Sequence, residues 1–273
     1  MQRVAVVSSL SEGLPLDAEL TGAQLAAMLR RAVELAPPPL RPWTILKPNI
    51  VTHPAPAGVV TDPLLVRELA SLIGGRITVA EGAGGWKPAP DDGWSDYAGL
   101  ELLDLNYAET IEWRRYTLPR AVRECDTFVT LSPLKTNKGA GVSLAMKNQF
   151  GIAPGTVYGW PKFGLHALGP IEETIVDLYC FRPPDYAVLG GSWGVEGEAD
   201  RPLRHNVIVA GANAVAVDMT AARIMGFEPE ELAFLRVARA RGLWPANIDI
   251  CGDRLDSAVR PFRRSAQWEA TCK

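Results

Sequence analysis

Two lysines twelve residues apart, Lys135 and Lys147, lie in segments rich in Ser, Asn and Gly near the middle of the chain. A lysine ammonium group binds phosphate, sulfate or carboxylate as a point charge. With Lys47, these residues predict a site for a small anion, and the glycine turn between them could add backbone N–H donors if a helix begins near Ser143. The alternative is that each lysine is solvated or paired with a nearby carboxylate.

The same residues could also move protons. A lysine packed beside other cations loses its proton more readily, which suits base or nucleophile chemistry. Asp218 is a carboxylate inside an otherwise apolar helical pattern, and burial would raise its pKa and make it a candidate base, unless it pairs with Lys or Arg across the core. His166 precedes a predicted helix and is the second candidate.

Polar residues follow several predicted strands, at the point where each strand ends. Lys47 and Asn49 follow the second strand, Glu81 follows the third, and Ser132 follows the fourth. The carboxyl ends of parallel strands lie on one edge of a sheet, so we expect these side chains to meet in one crevice. The asparagines could orient a ligand or serve as turn and cap residues. The residues expected to bind substrate are Asn49, Thr61, Glu81, Ser132, Asn137, Asn148 and Glu196.

Apolar β-branched runs alternate with helical patterns, which predicts an α/β fold with a mostly parallel or mixed sheet flanked by helices. The chain is expected to be a single domain, residues 1–273, which could be divided into two lobes. The predicted strands are residues 4–7, 43–46, 77–80, 128–131, 186–189, 207–210 and 248–251. The predicted helices are residues 24–35, 63–72, 170–178, 214–225 and 229–240, with Asp62 able to cap the second.

Composition excludes several classes of protein. The 273 residues are 47% hydrophobic and 22% charged, which is typical of a globular protein. A formal net charge of −3 argues against a nucleic-acid-binding protein, which needs clustered basic residues. Apolar runs are too short for a signal peptide or a membrane span, so we expect a cytoplasmic protein. The four scattered cysteines and three separated histidines do not have metal or cluster spacing, so neither a metal nor a cofactor is expected.

Two loops, residues 53–58 and 83–97, are rich in Pro, Gly and Trp. The second contains Trp86 and Trp94, which could form a lid over a ligand or dock a partner protein or a second copy of the chain.

The chain resembles the family of the domain of unknown function numbered 362. The residues that carry the resemblance are, in order, Leu46 to Asn49, Thr61 to Pro63, Ala80 to Gly82, Ser132 to Thr136, Leu144 to Gly151, Glu196 and Gly197, Ala216 to Asp218, and Ile224 to Phe227. The resemblance implies one α/β unit with a shared site. Many relatives carry a ferredoxin-like cluster segment, which this chain lacks. Asn137 stands where the family usually has histidine, and Gly190 and Asn213 stand where acidic residues are expected, which weakens any metal or redox role implied by the family.

The favoured hypothesis is a cofactor-independent cytoplasmic enzyme acting on a small anionic metabolite in a biosynthetic pathway. Lys47, Lys135 and Lys147 would hold the anion, and Asp218 or His166 would move a proton. Neutralising a departing sulfate or phosphate would promote elimination, transfer or intramolecular ring closure. The alternatives are a non-catalytic binding or accessory subunit that uses the same pocket, and a redox protein served by a separate electron donor.

Overall fold

The structure, a computed structural model, describes residues 1–51, 54–82, 93–160, 162–197 and 200–271. Its strands are β1 (Gln2–Ser8), β2 (Trp43–Lys47), β3 (Arg76–Glu81), β4 (Glu101–Asp104), β5 (Thr110–Trp113), β6 (Tyr116–Pro119), β7 (Thr127–Ser132), β8 (Lys135–Asn137), β9 (Gly141–Ser143), β10 (Tyr186–Glu196), β11 (Arg201–Gly211) and β12 (Ile248–Gly252).

The α-helices are α1 (Gly22–Leu35), α2 (Pro63–Ile73), α3 (Arg120–Glu124), α4 (Ala145–Asn148), α5 (Gly155–Tyr158), α6 (Phe163–His166), α7 (Ile171–Phe181), α8 (Ala214–Ile224), α9 (Ala233–Ala240), α10 (Leu255–Ala258) and α11 (Ala266–Thr271). Short 3₁₀ helices cover Ser9–Glu12, Trp94–Tyr97, Gln149–Ile152 and Pro229–Glu231.

In the described part of the chain, ten strands form one mixed sheet, and its main path runs β12-β1-β11-β10-β7-β2-β3-β4. β11 is antiparallel to both of its neighbours, and the other pairings along this path are parallel. β8 pairs with β9 and, near the carboxyl end of β10, with that strand, while β5 and β6 form a separate hairpin. The α/β prediction with a mixed sheet is therefore confirmed.

Helices cover both faces of the sheet because successive strand residues point to opposite sides. In β1, Ala5 and Val7 join the apolar cluster formed with α1 and α2, whereas Val4 and Val6 join the cluster formed with α7, α8 and α9. A third cluster, around Phe128, packs β7, β2 and β3 against the β5–β6 hairpin. No helix in the described ranges is both long and apolar enough to cross a membrane.

Local sequence signals fix the helix ends. Thr21 and Gln24 form a reciprocal capping box at the start of α1. Asp62 accepts a hydrogen bond from the Leu64 N–H and caps α2, as predicted. One helix prediction needs correction. Residues 229–240 are not continuous, because Leu232 has an extended backbone between the Pro229–Glu231 turn and α9.

Candidate active site

The candidate site lies at the carboxyl ends of β2, β3 and β7. The chain leaves β2 towards β3 on one side and leaves β7 towards β10 on the other, although β2 and β7 are adjacent. This arrangement is a topological switch point, where open α/β sheets form their binding crevices. A cavity of about 300 Å³ opens here. The described residues that line it are Asn49, Ile50, Val51, Val59, Glu81, Gly82, Lys135, Thr136, Asn137, Ser143, Lys147, Asn148, Phe150, Gly151, Lys162, His166 and Asp200.

A buried ion pair forms the floor of the site. Lys47 ends β2 and is fully buried, and its Nζ lies 2.6 Å from Glu81 Oε2 at the end of β3. The same ammonium group donates to the Pro48 carbonyl and to Asn148 Oδ1. Burial lowers the pKa of Lys47, and the attraction of Glu81 opposes this effect. Lys47 therefore sits beneath the cavity and does not line it.

Gly151 packs directly against this ion pair. A Cβ atom at this position would overlap the Glu81 carboxylate and the Lys47 ammonium group. Glycine is therefore needed here because the backbone closely approaches two buried charged groups.

Two asparagines connect the floor to Lys135, which begins β8. Lys135 Nζ donates to Asn49 Oδ1 and to the Val59 carbonyl, which is 2.9 Å away. Asn49 Nδ2 in turn donates to Asn148 Oδ1 at 3.1 Å. Burial lowers the pKa of Lys135 to about 7, and repulsion from Lys147 adds to the effect. At neutral pH, Lys135 therefore exists in both its charged and its neutral form.

Lys147 lies on the single turn of α4 and is half-buried. Among the residues that the structure describes, its ammonium group has no hydrogen-bond acceptor and no ion-pair partner, and it lies 4.7 Å from the centroid of the Phe150 ring. Contact with the aromatic face stabilises the charged form. Burial nevertheless lowers the pKa of Lys147 to about 8.

Lys162 is a further cation of the site and was not predicted from the sequence. Its backbone is left-handed, with φ of 68°, and this directs the chain into α6. The buried ammonium group donates to the carbonyls of Gly82, Phe150 and Gly151 at 2.9, 3.1 and 3.4 Å. Burial lowers its pKa to about 8. The sequence signal was weak, because a lysine in a loop has no periodicity that would place it.

Two titratable groups lie at the rim of the cavity. His166 ends α6, is exposed, and lies 5.7 Å from the Phe150 ring, centroid to centroid. Partial burial and the charge of Lys147 lower its pKa, so its neutral form can accept a proton at neutral pH. Asp200 is exposed, and its negative charge stabilises the protonated form of Lys135.

The placement of Asp218 corrects the expectation that it faces a ligand. Asp218 is fully buried on α8 and lies outside the cavity, where its carboxylate accepts hydrogen bonds from the Ala145 and Met146 N–H groups at 2.8 and 3.0 Å. Burial raises its pKa to about 7, although these bonds oppose the rise. Asp218 therefore caps α4, which carries Lys147. It also occupies the helix N-terminus that was expected to hold an anion.

Several other predicted binding residues have structural roles. Thr61 accepts a hydrogen bond from the Asn49 N–H and donates to the Leu131 carbonyl. Ser132 is buried and donates to the Pro133 carbonyl. None of Thr61, Ser132 and Glu196 is among the described residues that line the cavity.

Glu196 and Asn137 bind backbone amides in the described structure. Glu196 accepts from the Arg263 N–H at 2.8 Å. Asn137 does line the cavity, but its Oδ1 accepts from Gly139 and Ala140, so these expected N–H donors are used within the β8–β9 turn.

The other two positions that depart from the family pattern, Gly190 and Asn213, also have structural roles. Asn213 caps α8 by accepting from the Ala216 N–H. At Gly190, where φ is 100°, a Cβ atom would overlap the Val207 carbonyl of the neighbouring strand. Of the aromatic residues suggested for a lid, Trp94 is half-buried in a 3₁₀ turn, whereas Trp86 and most of its loop, like His53, lie outside the described residues.

Several known proteins are similar to this chain. A curated thylakoid-associated protein from Synechocystis sp. is 24% identical over 233 residues, which cover 76% of this chain and 70% of that protein. Among solved structures, a Thermotoga maritima protein is 13% identical with a TM-score of 0.46, covering 77% of this chain and 60% of that chain. The lactate racemase apoprotein from Thermoanaerobacterium thermosaccharolyticum is 11% identical with a TM-score of 0.46, covering 82% and 57%.

This chain therefore spans about 60% of the length of those two solved chains. The sequence profile described as "Domain of unknown function (DUF362)" matches residues 44–223, which is more than half of the chain. The chain belongs to the family of the domain of unknown function DUF362.

Proposed function

We propose that this protein is a cofactor-independent cytoplasmic enzyme that acts on a small anionic metabolite in a biosynthetic pathway. One observation carries the proposal: Lys135, Lys147 and Lys162 are all desolvated around one cavity, and burial lowers the pKa of each. The buried carboxylate of the site, Glu81, is already bound to Lys47. A ligand anion would supply the missing negative charge.

The choice of lysine supports proton chemistry as well as binding. The sequence has 28 lysines and arginines together, and seven are lysines, at positions 47, 87, 135, 138, 147, 162 and 273. Four of the seven meet at this site, whereas no arginine is among the described residues that line the cavity. Arginine remains charged in proteins, but a buried lysine can release its proton near neutral pH. A site that served only to bind an anion would not need this property.

The hydrogen bonds already made by each lysine separate their roles. An ammonium group has three N–H donors. Lys162 uses all three on backbone carbonyls, so it holds Gly82, which directly follows β3, against the Phe150–Gly151 segment. Lys135 uses two and retains one, whereas Lys147 retains all three with respect to described acceptors. The ligand anion would therefore lie between Lys147 and Lys135.

Elimination, transfer or intramolecular ring closure fits this arrangement. Lys147 would neutralise the charge that develops on a departing anionic group, and fixed charges in a dry site stabilise such a transition state strongly. Neutral His166 would accept the proton released by the substrate. Asp218 would act indirectly, by fixing α4 and hence the position of Lys147.

The test is consumption of a metabolite by the purified protein. Small-molecule extracts would be incubated with wild type, Lys147→Ala and Lys138→Ala, and anions that disappear would be followed by mass spectrometry. Lys138 is exposed in the same β8–β9 hairpin and does not line the cavity, so its variant is the matched control. The proposal predicts turnover by wild type and the control but not by Lys147→Ala.

Full turnover by Lys147→Ala would refute the role of that residue. An anion that co-purifies with the wild type in native mass spectra but is never consumed would instead favour a binding or accessory subunit.

A further inference from the structure

The lysines around the cavity outnumber the carboxylates. Among the described residues, the cavity and its floor carry four lysines and two carboxylates, so full protonation of the lysines gives an excess of two positive charges. Glu81 is bound to Lys47, and Asp200 is exposed to solvent at the rim. Unneutralised cations in a desolvated site repel one another and destabilise the protein.

The free donors are also concentrated in one place. With respect to described acceptors, Lys147 has three free N–H groups and Lys135 has one. Four donors are enough to serve the oxygens of a tetrahedral oxyanion or of two carboxylates. At about 300 Å³ the cavity is at the lower end of the range for small-molecule sites, and Ile50, Val59 and Phe150 leave room for a short apolar part of the ligand.

We infer that the ligand of this cavity carries two negative charges, and that its binding is accompanied by proton uptake at Lys135 and Lys147. This inference rests on the proposed anion site and specifies the chemical class of its ligand. The two charges could reside on one phosphoryl group or on two separate carboxylates.

Proton uptake follows from the groups that face the two lysines. Lys135 is repelled by Lys147 and Lys47 and attracted by Asp200 and Glu81. The charge of Lys147 also acts on Lys162 and His166 of the α6 segment, so it lies among cations. At pH 8 Lys135 is mostly neutral and Lys147 is about half neutral, so a bound dianion should draw in about one proton per site.

Isothermal titration calorimetry with two anions of similar shape tests the inference. Sulfate carries two charges at pH 8 and methanesulfonate carries one. Titrations in two buffers with different ionisation enthalpies give the number of protons taken up. We expect sulfate to bind at least about tenfold more tightly than methanesulfonate, with about one proton taken up at pH 8 and less at pH 6.5. Succinate, with two separate carboxylates, distinguishes the two forms of dianion.

Substitutions of Lys147 distinguish the loss of a ligand contact from the loss of folding. Lys147→Arg retains the charge but cannot release a proton, so it should still bind sulfate and take up fewer protons. Lys147→Met should lose sulfate binding while retaining its circular dichroism spectrum, and Lys138→Met should match wild type. Equal binding of the two anions, absence of binding by both, or sulfate binding without proton uptake would overturn the inference.

These outcomes are distinct from failure of the enzyme proposal. If methanesulfonate binds as tightly as sulfate and turnover is retained, the dianion inference is refuted and the enzyme proposal stands. If sulfate binds with proton uptake but no extract contains a substrate that is turned over, the enzyme proposal is refuted and the dianion inference stands.

Discussion

Replacing Lys135 with methionine should reduce the rise in stability that the wild type shows above neutral pH. Burial lowers the pKa of Lys135 from 10.5 to about 7 in the folded protein. Between these values the unfolded chain binds a proton that the folded chain does not bind. The free energy of unfolding therefore increases with pH, by up to about 1.4 kcal/mol per pH unit for one group. Between pH 7.5 and 9.5, the wild type should gain about 2–3 kcal/mol relative to Lys135→Met.

Urea unfolding followed by tryptophan fluorescence at pH 7.5, 8.5 and 9.5 measures this difference. Packing changes caused by the substitution shift the variant by the same amount at every pH, so only the difference in slope reports the amine. Lys147 and Lys162 remain in both proteins, so their burial contributes to both slopes. The exposed Lys138→Met variant should run parallel to the wild type. Parallel curves for Lys135→Met would show that Lys135 titrates as an ordinary solvated amine, which would refute the desolvated lysine site.

Three further substitutions test the surroundings of the cavity. Glu81→Gln leaves Lys47 buried without its counter-charge and should lower the free energy of unfolding, measured in urea, by about 3–5 kcal/mol. The control Glu101→Gln breaks an exposed ion pair and should lower it by less than about 1 kcal/mol, and equal losses would contradict the buried pairing. Gly151→Ala should lower the melting temperature or prevent folding, because the added Cβ would overlap the Lys47–Glu81 ion pair. An unchanged melting temperature would show that the ion pair does not pack against Gly151. Asp218→Asn replaces one of two acceptor oxygens at the start of α4 and should cost about 1–3 kcal/mol; an unchanged unfolding curve would argue against the cap.

Much of the fold could be predicted from the sequence because its central strands are buried on both faces. Such strands are continuous apolar runs, and all seven predicted runs correspond to strands in the structure. The strands that were not predicted are short or partly exposed. β4, for example, is exposed or half-buried along its length and lies at the sheet edge, so its sequence lacks an apolar run. The break at Leu232 was also not predictable, because it interrupts an otherwise helical pattern without Gly or Pro.

The position of the candidate site was predictable, but the task of each side chain was not. The rule that parallel strands end on one edge placed Lys47 and Glu81 together, and the structure joins them at 2.6 Å. The rule does not say how deeply each side chain is buried, so it could not show that Lys47 lies beneath the cavity. Asp218 was recognisable as a buried carboxylate, but its partners are backbone N–H groups 72 and 73 residues away. Long-range pairings of this kind leave no local sequence signal.

The lowered pKa of Lys147 has a consequence for chemical labelling. Only the neutral form of an amine attacks an acylating reagent. At pH 7.5 about a quarter of Lys147 is neutral, compared with about 0.1% of an ordinary lysine. Most cationic side chains of this protein are arginines, which such reagents do not modify, so competition from the surface is small. Among the lysines, an amine-directed covalent fragment should therefore react first inside the cavity, and the fragments that react fastest would reveal the shape of the natural ligand.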